Sequence, residues 1–317
     1  MRKALLITAA SLSAGLLATR LGESKILAEL ENTPPPDWWK TPRFPDGTEL
    51  KVQTDDHAEI HVATAGDTSA PPVVLIHGIT QNHHDLGLVA ERLLESGFHV
   101  VGIDQRGHGD STVGTDGFSA HRLGLDLGQV LTHLDLNGVV LGGHSMGGIA
   151  IQAMLVGAAT DLTDRVKAVV LVATTPRLDQ PHHRLITRIF GSRLYTWSKN
   201  HPVHGPAFGR IAFGRKASMA QVGAVMDSSR RCPAASERGA ARGLGDYDVV
   251  DQLADTAVRA TVVYGTHDAV TFPSDNALIA RRLGARPVVL EGIGHSIPQE
   301  DPEAMAEAIC QAHTVAG

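Results

Sequence analysis

The chain of 317 residues has only two cysteines, Cys232 and Cys310. A disulfide framework needs more, so an apolar core must hold the fold and two separate thiols are expected. Metal-ligand spacing is also missing. The 17 histidines include His83-His84, His182-His183 and His201 with His204, but no cysteine or carboxylate pattern converges on them. No structural metal and no organic cofactor are therefore expected. The chain has no internal repeats. It also lacks an apolar run long enough to span a bilayer, which takes about 20 residues. The nearest is Ala4 to Ala18, 15 apolar or small residues behind Arg2-Lys3, with the n-region and h-region layout of a secretory signal. No small-x-small cleavage site follows it. Export, an uncleaved membrane anchor, and a cytoplasmic protein with a soluble N-terminal helix all stay open. The net charge is −6 and no nucleic-acid-binding motif is recognisable, so nucleic acid is not an expected partner.

What is present is a regular alternation. Apolar residues make up 43 % of the chain, enough for a sizeable core. Short continuous apolar runs near 73–77, 99–103, 139–142, 168–173, 260–264 and 287–290 read as strands covered on both faces. Between them, Leu86 to Glu95, Ala120 to Leu134, Gly147 to Val156, Ser274 to Leu283 and Pro302 to His313 read as helices. Strands alternating with helices imply a mostly parallel sheet flanked by helices. An earlier pair, Glu49 to Thr54 and Ala58 to Ala65, alternates like an antiparallel hairpin. Asn32 to Pro45, with Pro34-Pro35-Pro36 and Trp38-Trp39, reads as an extended linker.

Directly behind Val139-Val140-Leu141 stands Gly143-His144-Ser145-Met146-Gly147. A strand that ends in Gly-x-Ser-x-Gly and enters a helix is a nucleophile elbow, a turn so tight that side chains beside it would clash. Glycines remove them and leave the serine hydroxyl exposed at a helix start, where N–H groups favour negative charge. A serine needs a base to take its proton. His295 in Gly292-Ile293-Gly294-His295-Ser296 can be that base. Asp268, behind Ala260 to Gly265, can hold the imidazole in the right tautomer. Serine, acid, histidine is the chain order of this class of triad. An acid after the strand Val166 to Ala173 is the alternative, but Thr174-Thr175 stand there and Asp179 lies beyond Pro176.

Four motifs in order, each behind its own strand, resemble an α/β-hydrolase of the esterase, lipase and monoacylglycerol-lipase-like group. They are His77-Gly78, the stretch Asp104 to Ser111, the Ser145 elbow, and the Asp268 and His295 loops. The resemblance runs from about His57 to the C-terminus. It implies the α/β-hydrolase fold, with a helical cap inserted after the sixth strand and an oxyanion hole made by the backbone N–H groups of Met146 and Ile79. His77 is expected to bond nearby loop backbone, and Asp110 to hold its loop together with Arg106.

The expected division is an N-terminal signal-like or anchor-like segment and linker at 1–45, a core at 46–173 and 256–317, and a cap at 174–255. Within the cap, Leu185 to Trp197 reads as one amphipathic helix. Most apolar cap residues should pack the cap; Phe190, Tyr195, Trp197 and Phe213 are candidates to line a pocket. Residues 177 to 242 hold 12 Lys or Arg and 3 Asp or Glu, leaving 16 basic and 31 acidic residues elsewhere. Such asymmetry can steer anionic ligands or dock anionic lipid, so membrane association through the N-terminal segment or the basic cap is a second partner class beside a small hydrophobic ester. The expected activity is hydrolysis of carboxylic esters of hydrophobic acyl groups through an acyl-enzyme on Ser145. The same triad could serve a lactonase, thioesterase, amidase, carbon–carbon hydrolase or cofactor-free perhydrolase. A ligand-binding protein on this scaffold is the non-enzymatic rival.

Overall fold

The computed structural model describes residues 22–157 and 160–315. Eight strands form one sheet: β1 Thr48–Gln53, β2 Glu59–Ala65, β3 Pro72–Ile76, β4 His99–Ile103, β5 Val139–His144, β6 Val166–Val172, β7 Ala260–Gly265 and β8 Arg286–Leu290. Their order is β1-β2-β4-β3-β5-β6-β7-β8. β1 and β2 pair antiparallel, β2 joins β4 antiparallel, and every later pair is parallel. The apolar runs become strands because each strand feeds two cores in alternation. Val74 and Ile76 enter one cluster while Val73 and Leu75 enter the other; Val139 and Leu141 separate in the same way from Val140. A strand buried on both faces has no polar side to show.

After an N-terminal helix α1 (22–32), helices cover both faces of the sheet: α2 Gly87–Glu95, α3 Ala120–His133, α4 Met146–Gly157, α5 Thr160–Asp164, α11 Pro273–Arg282, α12 Ile297–Glu300 and α13 Pro302–Val315. The cap, inserted after β6, carries α6 Pro181–Phe190, α7 Arg193–Asn200, α8 His204–Gly209, α9 Met219–Arg231 and α10 Ala234–Gly243. Parallel strands all point their C-terminal ends one way, so the loops after β3, β5, β6, β7 and β8 gather at one edge beneath this cap.

Four expectations change. The single helix at Leu185 to Trp197 is two helices, because Gly191 ends α6 and the Ser192 side chain caps α7 by accepting from Tyr195 N. β8 is an edge strand with alternating exposure rather than a doubly covered one. Residues 22–32 form a helix that docks on the cap, with Leu30 fully buried against Phe213, Val222 and Met226. Arg106 does not pair with Asp110. It is fully buried and donates to Asp56 and Asp126, while Asp110 holds the loop by donating its backbone N–H to Asp104. The two carboxylates accept from Nε and both Nη atoms, and removing either would leave buried guanidinium N–H groups without an acceptor.

The signal-like or anchor-like stretch, Arg2 to Ala18, lies outside the described residues. Among the described residues no helix is long and apolar enough to cross a membrane. Both cysteines are free thiols; burial pushes the Cys232 thiol up to about 12.

Candidate active site

Ser145 follows the last residue of β5 and precedes α4. Its φ is +53°, a conformation that costs a non-glycine residue of order 1–3 kcal/mol. The surroundings hold it there. Ser145 N donates to Val172 O at 2.9 Å, and Thr174 Oγ1 donates to Ser145 O at 2.8 Å. A Cβ on Gly143 would meet the Gly147 carbonyl at 2.6 Å, and one on Gly147 would collide with the Ile76 carbonyl oxygen. Both glycines are needed because neighbouring backbone occupies the space.

Three loops bring the other groups to Ser145. His295 Nε2 lies 3.1 Å from Ser145 Oγ, and His295 Nδ1 lies 3.0 Å from Asp268 Oδ2. Asp268 is buried and accepts from Val270 N, Thr271 N and Thr271 Oγ1 as well. Burial by itself would raise its pKa. The His295 charge and these hydrogen bonds outweigh burial and hold the carboxyl below the usual range. A carboxylate that stays ionised orients Nδ1–H toward itself and leaves Nε2 free to accept from Ser145 Oγ.

The loop after β3 completes the site. His77 Nδ1 donates to Gly78 O at 2.7 Å, and its Nε2 accepts from Gln105 N at 3.0 Å. Burial pushes this imidazole down to about 3, so the ring is a neutral brace for loop backbone. Gln81 Oε1 accepts from Gly78 N at 2.9 Å. Ile79 on this turn and Met146 at the elbow line the same cavity as Ser145 and His295.

Several contributing residues carried no sequence signal. His144, the x of the elbow, sets Nε2 at 2.8 Å from the His295 carbonyl and Nδ1 at 3.1 Å from Gln81 Oε1. Its own pKa is pushed down to about 3 by burial and the neighbouring His295. Asn276 takes Thr174 N and donates to Thr271 O, which links the elbow to the acid loop. Glu300 accepts from Gly214 N and Gly294 N, tying the cap to the His295 loop. Asp85 accepts from Asn82 N and Ser228 Oγ, tying the cap to the loop of Ile79.

Asp85 is buried, and burial raises its carboxyl from 3.8 to about 6 despite these bonds. Between those values the folded protein keeps a proton that the unfolded chain has released. Stability from this group is therefore lost as pH rises from about 4 to about 6. Asp85→Asn is expected to gain in melting temperature relative to the parent across that window and to hold the gain above it. A constant difference at all pH values would contradict the assignment.

Among the described residues, His61, His83 and Asp104 are the group whose donor atoms lie close enough to share a metal ion. Each Asp104 oxygen already accepts from one imidazole Nδ1, at 3.1 and 2.9 Å, and from one backbone N–H. The Asp104 carboxylate thus has both oxygens filled by protein donors, while His83 Nε2 is buried without a hydrogen-bond partner.

The site opens into a cavity of about 280 Å³. Its walls are mostly apolar and include Ile79, Met146, Ile149, Leu178, Leu244 and cap residues. Of the aromatic candidates, Tyr195 lines it; Trp197 is 57 % exposed and Phe213 packs against Leu30 instead. The Phe190 side chain lies outside what is described. Phe208, which was not among the candidates, also lines the cavity.

Known proteins of this fold are numerous. Residues 73–308 match the alpha/beta hydrolase family model. The non-heme chloroperoxidase of Burkholderia pyrrocinia is 26 % identical over 245 residues, covering 73 % of this chain and 87 % of that one. The bifunctional esterase/perhydrolase DCH of Acinetobacter calcoaceticus is 32 % identical over 127 residues, 40 % of this chain and 45 % of its own length. Among solved structures, the esterase EaEST from Exiguobacterium antarcticum superposes with a TM-score of 0.76 at 23 % identity, covering 84 % of this chain and 100 % of that one. The match is to the family as a whole rather than to its monoacylglycerol-lipase-like group. On these grounds the chain belongs to the alpha/beta hydrolase family and is a hydrolase.

Proposed function

We propose that the protein hydrolyses carboxylic esters of hydrophobic acyl groups through an acyl-enzyme on Ser145. One observation carries the reading: the chain of hydrogen bonds from Ser145 through His295 to Asp268 ends at an apolar cavity of about 280 Å³. His295 takes the hydroxyl proton as Ser145 Oγ attacks the ester carbonyl. The Ile79 and Met146 N–H groups hold the oxyanion, and two such donors together are worth several kcal/mol. His295 then protonates the departing alcohol, and a water deprotonated by His295 releases the acid. Residues 46–173 and 256–317 act as the catalytic core, and 174–255 as the cap that selects the acyl chain.

The test is a series of nitrophenyl esters from acetate to palmitate. Each methylene buried in an apolar cavity is worth about 0.8 kcal/mol, so kcat/KM is expected to rise about four-fold per methylene until the cavity is full, then to fall. A flat profile would contradict an acyl pocket.

The relatives favour a second reading of the same intermediate. Two are named for peroxide-linked or halogenating activity. If hydrogen peroxide replaces water in the second step, it takes the acyl group from Ser145, returns a proton through His295 to the serine, and leaves as a peracid. Peracid from a short-chain ester and peroxide, absent with Ser145→Ala, would support it.

A further inference from the structure

We propose that the cap is a docking surface for anionic lipid bilayers, through which a membrane-dissolved ester enters the cavity. Six of the ten large apolar side chains exposed among the described residues fall within residues 185–211: Leu185, Ile189, Leu194, Trp197, Val203 and Ile211. Concentration of that kind marks an interaction surface, since scattered exposed apolar residues are ordinary. Leu185 and Ile189 are one turn apart on α6, and Leu194 and Trp197 are three apart on α7, so each pair shares a helix face. The opposite faces are committed to the interior: His183 on α6, and Tyr195 and Lys199 on α7, are buried, with Lys199 paired to Glu237 at 2.8 Å. The apolar residues are thus an outward face, left over after the core has taken its share.

Charge selects the occupant. From residue 180 to residue 226 there is no Asp or Glu, while Arg184, Arg188, Arg193, Lys199, Arg210, Arg215 and Lys216 are basic. Except for Lys199, and for Arg210 at 3.6 Å from Glu29, these are exposed cations around an apolar surface. The chain as a whole carries −6, so the basic zone runs against the overall charge. Exposed apolar side chains with exposed arginines on the same two helices, Arg184 and Arg188 on α6 and Arg193 on α7, suit the interfacial zone of a bilayer, where apolar side chains enter the acyl boundary and cations meet lipid phosphates. The position of the cavity gives the surface a purpose. Ile189 and Ile211, 40 % and 51 % exposed, also line the Ser145 cavity. Its mouth therefore opens inside the apolar patch, and an ester could pass from bilayer to catalytic serine without crossing water.

The test is sedimentation of the full chain with vesicles of neutral phosphatidylcholine and with vesicles containing about 30 % phosphatidylglycerol. The expected result is at least about ten-fold stronger binding to the anionic vesicles, lost on raising salt from about 0.05 to about 0.5 M. The tryptophan emission should shift to the blue on binding, and Trp197→Phe should remove most of that shift. Leu185→Ser with Leu194→Ser, and separately Arg184→Gln with Arg188→Gln and Arg193→Gln, should each weaken binding about ten-fold or more. Turnover of a short soluble nitrophenyl ester should be unchanged in both, which shows that they fold. Binding measured on Ser145→Ala as well keeps failure of the surface distinct from failure of the ester-hydrolase reading. Equal binding to neutral vesicles, or cap variants that bind like the parent, would overturn the proposal. So would a concentration-dependent dimer that the apolar variants abolish, because a second copy would then be the occupant.

Discussion

Replacing Ser145 by alanine is expected to lower kcat on the best nitrophenyl ester by about 10,000- to 1,000,000-fold and to leave the melting temperature within a few degrees of the parent. The two halves of that expectation come from different atoms. The side chain contributes Oγ, whose partner is His295 Nε2 at 3.1 Å. Without it the proposed acyl-enzyme is not expected to form, which leaves the proposed oxyanion donors, Ile79 and Met146 N–H, to assist attack by water alone. The backbone of residue 145 carries the structural bonds, to Val172 O and from Thr174 Oγ1, and alanine keeps both. Alanine tolerates φ of +53° about as well as serine does. Loss of activity with loss of folding would say nothing about chemistry; loss of activity alone locates it at Oγ. Activity within ten-fold of the parent would remove Ser145 from the reaction.

The second large effect is expected from Asp268→Asn, a kcat lower by about 10,000-fold. An amide is nearly the same shape as a carboxylate, so the argument is one of hydrogen-bond direction. Oδ1 of residue 268 receives two backbone N–H groups, from Val270 and Thr271. Those donors cannot rotate, so in asparagine the amide oxygen must stay with them and the amide nitrogen must face His295 Nδ1. Nδ1 then becomes the acceptor, and the ring proton moves to Nε2, which points at Ser145 Oγ. A protonated Nε2 cannot take the serine proton. The variant should fold, and its KM should change far less than its kcat. A fall of less than ten-fold would mean that the working acid lies elsewhere.

How much of this could be read in the sequence depended on whether the signal was local. The strands of the sheet were legible because burial on both faces forces continuous apolar runs, as in Val73 to Ile76. The edge strand β8 was misread for the same reason: Val288 to Leu290 is apolar, but β8 has a neighbour on one side only and part of it faces solvent. The break between α6 and α7 was carried by Gly191-Ser192, a helix stop followed by a cap residue, and periodicity alone ran through it. Ser145, His295 and Asp268 were legible because strand, turn and chain order limit what can follow each strand.

Pairings across the chain were not legible. Arg106 has partners 50 and 20 residues away, Asp56 and Asp126, while Asp110 beside it was the nearer guess. Asp85 and Glu300 stand in ordinary helical contexts, and only the docked cap turns them into clamps. Within the cap, Tyr195, Trp197 and Phe213 look alike in sequence. One lines the cavity, one faces solvent and one is covered by Leu30. That last contact exists because residues 22–32 return as a helix onto the cap, and nothing near Phe213 in the chain announces it.

The most direct test of the central claim is to quench the reaction with acid within its first turnover of nitrophenyl butyrate and weigh the resulting peptides. The account predicts one added butyryl group, on the peptide containing Ser145, and none when His295 or Ser145 is replaced by alanine. Turnover with no acyl group on Ser145, or with the acyl group on another residue, would contradict it.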